Sequence, residues 1–246
     1  MTGKRTKIQL SLKPTSEEII KVLKSRANPK NVEGMARFGI TPDNCFGVCT
    51  PDLFEIARRV KHDHKLAQKL WKSGNREARL VACFMDDPDL VTEKQMDDWV
   101  KGFNSWDICD GCCLHLFSSS KAAHKKAREW SKRKEEYVKR AGYVMMATLT
   151  VHDKEASDAK FRAYFPLIVK GSTDERNFVK KAVNWALRQI GKRNLALNKE
   201  AIAVAKRIQK IDSRSARWVA ADALRELTSE KTQQMLRKRA SRARNH

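Results

Sequence analysis

Glycine and proline are scarce in this chain, ten and six among 246 residues. Apart from one stretch, 28–46, the connections between patterned segments are short, which excludes a loop-rich architecture and suits helix pairs stacked on one another. Strand signals are nearly absent. No apolar run approaches the roughly 20 residues that span a bilayer, so no membrane helix is expected. The first residues, MTGKRTKIQLSLKP, are basic without an apolar core, so no secretory leader is expected either. No glycine-rich phosphate loop and no Ser/His/Asp grouping stands out. Acid is the other shortage: 29 Asp+Glu stand against 51 Lys+Arg, a formal net charge of +22. The basic excess is spread along the chain rather than gathered in a tail. It points to a basic surface that meets a nucleic acid or another polyanion, with a merely lysine-rich exterior as the plainer alternative.

The six cysteines do not form a disulfide framework in this reading. Cys109, Cys112 and Cys113 follow helical spacing, and Cys83 lies in the apolar run 80–85. They are expected to be free, small core residues in a reducing compartment. A zinc reading of Cys109, Cys112, Cys113 and His115, with Cys45 and Cys49, lacks the two well-spaced ligand pairs such sites use. No metal and no cofactor is expected.

Helix signals recur throughout. Thr15 with Glu18, and Thr92 with Gln95, are capping-box patterns, and Thr50-Pro51 resembles an N-cap followed by proline at the first helical position. Leu53, Ile56, Ala57 and Val60, then Leu66, Ala67, Leu70 and Trp71, repeat at helical spacing. The fold class is all-α. Arg140-Ala141 is echoed by Lys181-Ala182 41 residues later, and Ala186-Leu187-Arg188 by Ala223-Leu224-Arg225 37 residues on. A period near 40 fits an α-solenoid of HEAT-like repeats with a concave basic face. One such domain over 1–246 is expected, with flexible basic ends at 1–14 and 238–246.

The densest chemistry lies in 104–110, NSWDICD. Read as a helix over 104–118, this segment places Trp106, Asp110, Cys113 and Phe117 on one face, a carboxylate in the middle of an apolar stripe. Such a group is costly unless paired or put to use. Asp107, with Asn104 as N-cap, sits where an acid favours the helix dipole. Arg140 opens the charge-free run 141–151 and can hold a phosphate or lock a carboxylate; a buried ion pair is the structural alternative for Asp110. Trp185 lies at the edge of the apolar arc of 178–190 with Lys181 and Arg188 beside it. That setting suits packing on a sugar–phosphate backbone, or a plain rim-of-core tryptophan.

Taken in order, several segments make the chain resemble the DNA alkylation repair enzymes, the AlkD-like DNA glycosylases built from HEAT-like repeats. They are Phe46-Gly47-Val48, Leu70-Trp71 with Glu77-Ala78-Arg79, Trp106-Asp107 with Asp110, Lys139-Arg140-Ala141, and 181–188, KAVNWALR. Tyr137, the Cys112-Cys113 pair and the basic segment 121–134 depart from the family pattern. The resemblance implies hydrolysis of the N-glycosidic bond of alkylated purines such as 3-methyladenine and 7-methylguanine in duplex DNA. It implies catalytic roles for Trp106, Asp110, Arg140 and Trp185. DNA contacts are expected from Lys139, Arg140, Lys181 and Arg188, in a monomer acting inside the cell, in the cytoplasm or nucleoid, or in the nucleus of a eukaryote. A non-catalytic nucleic-acid scaffold and a protein-binding adaptor are the rival readings.

Overall fold

The structure, a computed structural model, describes residues 8–244, and among them there are helices and no strand. The all-α expectation holds. The chain divides into two compact units, Met1–Ser120 and Lys121–His246.

Unit 1 contains α1 (Ser16–Ser25), α2 (Pro29–Met35), α3 (Thr50–Val60), α4 (His64–Lys72), α5 (Arg76–Met85), α6 (Glu93–Lys101) and α7 (Trp106–His115). The expected caps form: Thr15 accepts from the Glu18 amide at 3.2 Å and Thr92 from the Gln95 amide at 3.1 Å. Two expectations are corrected. The stretch 28–46 is not wholly irregular, because Asn28 caps α2 and Pro29 occupies its first turn; its Pro and Gly content hid a cap-and-proline start. Helix α3 begins one residue early, with Cys49 at the N-cap and Thr50 already helical. Helix α5 is the centre of the unit, buried along most of its length and packed on α3, α4 and α7. Beside it Trp71 and Trp99 stack with ring centres 4.2 Å apart. Cys83 of α5 and Cys112 of α7 form a disulfide across Cα atoms 5.1 Å apart. That overturns the reading of all the cysteines as free: spacing along the chain does not report which helices cross. Cys109 and Cys113 are free and buried.

Unit 2 contains α8 (Ala123–Trp130), α9 (Glu136–His152), α10 (Asp158–Arg162), α11 (Phe165–Gly171), α12 (Asn177–Gly191), α13 (Leu195–Gln209), α14 (Arg214–Leu227) and α15 (Glu230–Arg244). Every residue of 141–150 is buried, as a helix without charge on any side requires. Gly142 lets the end of α8 close on α9: a Cβ there would lie 2.2 Å from the Ser131 amide nitrogen. Helix α12 packs along α9 on one side and on α13 and α14 on the other. The sequence echo therefore has a structural counterpart. Arg140 lies in α9, Lys181 and Arg188 in α12, and Ala223 and Arg225 in α14, three helices packed in series. Asn184, buried in α12, donates to the Val219 carbonyl of α14 at 3.1 Å. The basic ends fall partly outside the described residues. Within them Ile8 is buried and Ser11 donates to both Glu18 oxygens, while 238–244 continues α15.

Candidate functional site

Helix α7 carries the first two candidate residues. Its N-cap is Ser105 rather than Asn104, and it ends at His115, so Phe117 stands in a separate 3-10 turn. Ile108, Cys109, Cys112 and Cys113 form its buried side, while Trp106 and Asp110, one turn apart, are half-buried. Asp110 therefore sits at the rim of the packed face and not in the middle of an apolar stripe. A rim position is physically reasonable, because a carboxylate there keeps part of its hydration. The Trp106 indole Nε1 donates to the Phe38 carbonyl at 2.8 Å, and the Thr41 hydroxyl donates to the Asn104 carbonyl at 3.1 Å. The segment around Phe38 thus clasps the start of α7. Phe38 itself is 70% exposed, an apolar group on the segment that holds Trp106, and the sequence reading did not single it out.

Behind that face lies a buried ionic chain. Asp107 accepts from the Ser105 hydroxyl at 2.5 Å and from Arg76 Nε at 2.6 Å, and Arg76 Nη1 reaches Glu77 at 3.1 Å. Glu77, fully buried, accepts the Phe46 and Gly47 amides, each at 2.9 Å. Gly47 makes this possible: it has φ +74, and a Cβ would fall 2.3 Å from the Asn28 carbonyl oxygen. Asp107 is thus an ion-pair partner as well as a first-turn acid. Arg79 donates to the Gly102 carbonyl at 3.1 Å and covers the Trp71 ring at 4.9 Å, bracing the turn before α7; burial lowers its pKa from the ordinary arginine range. Arg76 and Arg79 are positioning residues that the pattern of the sequence did not reveal, although Glu77-Ala78-Arg79 is among the segments carrying the family resemblance.

The other candidates lie in unit 2. Arg140 is buried, and its Nη1 donates to the Phe178 carbonyl of α12 at 2.6 Å. Lys139 binds Asp174 at 2.8 Å, and Arg176 binds the same carboxylate at 2.7 Å. Burial alone would raise the pKa of Asp174, but hydrogen bonds from Arg176 and Lys139 outweigh it and hold the carboxyl well below the usual range. Trp185 is half-buried on α12, one turn from the exposed Lys181. Arg188 is paired with Glu226, with Asp222 3.7 Å away. Of the four cations expected to meet DNA, Lys139 and Arg188 thus hold carboxylates of unit 2, Arg140 holds a backbone carbonyl, and Lys181 faces solvent. Trp218 of α14, 40% exposed under the Lys180 ammonium at 5.4 Å, was not anticipated. Among the described residues no group of three or more His, Cys, Asp or Glu could hold a metal ion, and no helix is long and apolar enough to cross a membrane.

The family model for the DNA alkylation repair enzyme matches residues 19–236. The fold is similar to a solved structure from a new family of proteins related to the HEAT-like repeat DNA glycosylases, with affinity for branched DNA structures. That likeness has a TM-score of 0.72 at 19% identity and covers 85% of this chain and 93% of that one. A designed armadillo repeat protein in complex with the peptide (KR)4 matches over 85% of this chain and 86% of its own at 15% identity, with a TM-score of 0.37. No curated protein matches.

Proposed function

The chain belongs to the DNA alkylation repair enzyme family, and from that membership we propose that it is a DNA glycosylase. Its substrates are cationic N-alkylated purines, 3-methyladenine and 7-methylguanine, in duplex DNA, and its place is in base excision repair within the cell. One observation carries the reading: the Asp110 carboxylate stands one turn above Trp106 at the rim of α7, and the Trp106 indole is locked on the Phe38 carbonyl.

The chemistry suits those groups. Alkylation at N3 or N7 gives the base a positive charge, so the C1′–N bond breaks with its electron pair leaving on the base, which departs neutral without prior protonation. Positive charge then develops on the sugar, and water adds at C1′ and sheds a proton. A carboxylate placed beforehand stabilises the sugar cation and takes that proton. Asp110 is assigned this role. Trp106 and Trp185 provide aromatic faces for the deoxyribose or the cationic base. Arg140, Lys139, Lys181 and Arg188 are assigned to the DNA backbone, with the protein acting as a monomer. The test is release of 3-methyladenine and 7-methylguanine from methylated duplex DNA.

A second reading has specific support. Lys139, Arg140 and Arg188 already hold partners inside unit 2, as expected of residues that brace a binding surface. The similar solved structure comes from a family with affinity for branched DNA structures. On this reading the chain binds such DNA and releases no base, which the same assay separates.

A further inference from the structure

Unit 1 has an open cleft of about 540 Å³ that no part of the proposed excision uses. Phe54 of α3 and Phe84 of α5 stack in it with ring centres 4.2 Å apart and planes 14° from parallel. His115, the last residue of α7, meets both rings edge-on at 5.2 and 4.8 Å. Phe54 is nevertheless 41% exposed. A stacked aromatic pair with an open outer ring is a platform rather than a finished core.

Basic side chains line that platform. Arg58 follows Phe54 by one turn of α3 and so shares its face, and Lys61 and His62 line the same cleft. Arg58, Lys61 and His62 make no ion pair among the described residues, whereas Glu55 in the cleft is held by Arg59 at 2.9 Å. Lys61 and His62 have φ of +32° and +52°, a conformation that non-glycine residues adopt at a cost. Two consecutive such residues turn the chain sharply at the end of α3, where both line the cleft.

We infer that this cleft is a second nucleic-acid site, which takes an unpaired nucleobase on the Phe54–Phe84 platform with its phosphates on Arg58, Lys61 and His62. A paired base has both faces covered by its neighbours in the stack and offers no ring to Phe54, so the ligand is a single strand: a gap, a flap or the arm of a branched structure. An aromatic platform flanked by cations is the combination that binds single strands without reading sequence, and the volume lies within the range of small-ligand clefts. His115 follows Trp106 by nine residues and Asp110 by five, which at 3.6 residues per turn is roughly 180° and 140° around α7. The cleft thus opens on another side of the helix from Trp106 and Asp110. The inference rests on the reading that the chain binds nucleic acid and is independent of base excision.

Binding of an oligothymidylate strand and of a blunt duplex, followed by fluorescence anisotropy, tests it with the wild type, Phe54→Ala and Phe54→Tyr. Phe54→Ala should weaken the strand roughly 5- to 150-fold, the range for one lost base stack. Phe54→Tyr should keep strand binding, and all three proteins should bind the duplex alike, which also shows that they are folded. Unchanged strand binding by Phe54→Ala, or equal loss of strand and duplex, overturns the site. If the wild type binds neither, the nucleic-acid reading falls and the inference falls with it; duplex binding kept with strand binding unmoved by the substitution removes the cleft alone. Phe54-dependent displacement of the strand by polyglutamate at lower concentration than unlabelled oligothymidylate would assign an acidic polypeptide instead and overturn the proposal.

Discussion

Arg76, the first residue of α5, and Asp107, the second residue of α7, meet at 2.5 Å with both side chains almost fully buried. The start of α7 is therefore set by α5 and, through Glu77, by the loop at Phe46 and Gly47. Since Trp106 precedes Asp107 and Asp110 follows it by less than a turn, this ion pair fixes the candidate catalytic face.

Removing one partner of a buried pair strands the other charge. Arg76→Ala should cost about 3–5 kcal/mol in urea unfolding, and more than a surface arginine because Glu77 and Asp107 both lose their cation. A loss below about 1 kcal/mol, the range of exposed pairs, would mean that the pair does not hold α7.

Acid should act on unit 2 through Asp174. Its pKa is lower in the folded protein than in the unfolded chain: burial opposes this, but hydrogen bonds from Arg176 and Lys139 outweigh it. The stabilisation is then complete above the unfolded carboxylate pKa of about 3.9 and is lost as pH falls toward the depressed folded value. Asp174→Asn should lower the melting temperature at neutral pH, and its gap from the wild type should shrink as pH drops below about 4. A gap independent of pH would contradict the charge assignment.

A basic surface that tracks phosphates releases counterions. If about six to ten cations are engaged, DNA affinity should fall roughly 10³- to 10⁵-fold between about 50 and 200 mM salt. A flat response, measured by anisotropy on a duplex, would favour the adaptor reading.

Lesion charge should decide which bases leave. The described face of α7 carries one carboxylate and no group identified as a proton donor to a neutral purine. Release of 3-methyladenine and 7-methylguanine should therefore far outpace release of hypoxanthine or uracil. Comparable rates on DNA carrying one lesion of each kind would show that a general acid takes part.

What could be read in the sequence was local. The caps at Thr15 and Thr92, the uncharged run within α9 and the one-turn spacing of Trp106 and Asp110 depend on residues a few positions apart. What could not be read was pairing across distance. Arg76 finds Asp107 31 residues away, Lys139 finds Asp174 35 away, and Cys83 finds Cys112 29 away. Helical periodicity says which way a side chain points but not which helix it meets. Arg188, read as a cation beside Trp185, is occupied by Glu226 38 positions on for the same reason. The N-cap shift from Asn104 to Ser105 is of another kind: both residues cap well, and tertiary contacts such as Thr41 on the Asn104 carbonyl accompany the choice.

Base release is assigned to the charge of Asp110, and Asp110→Asn keeps the shape of that side chain while removing the charge. Single-turnover release of 7-methylguanine from methylated duplex DNA should fall by roughly two orders of magnitude or more, with duplex affinity unchanged. Release within a few-fold of the wild type would contradict the assignment of Asp110.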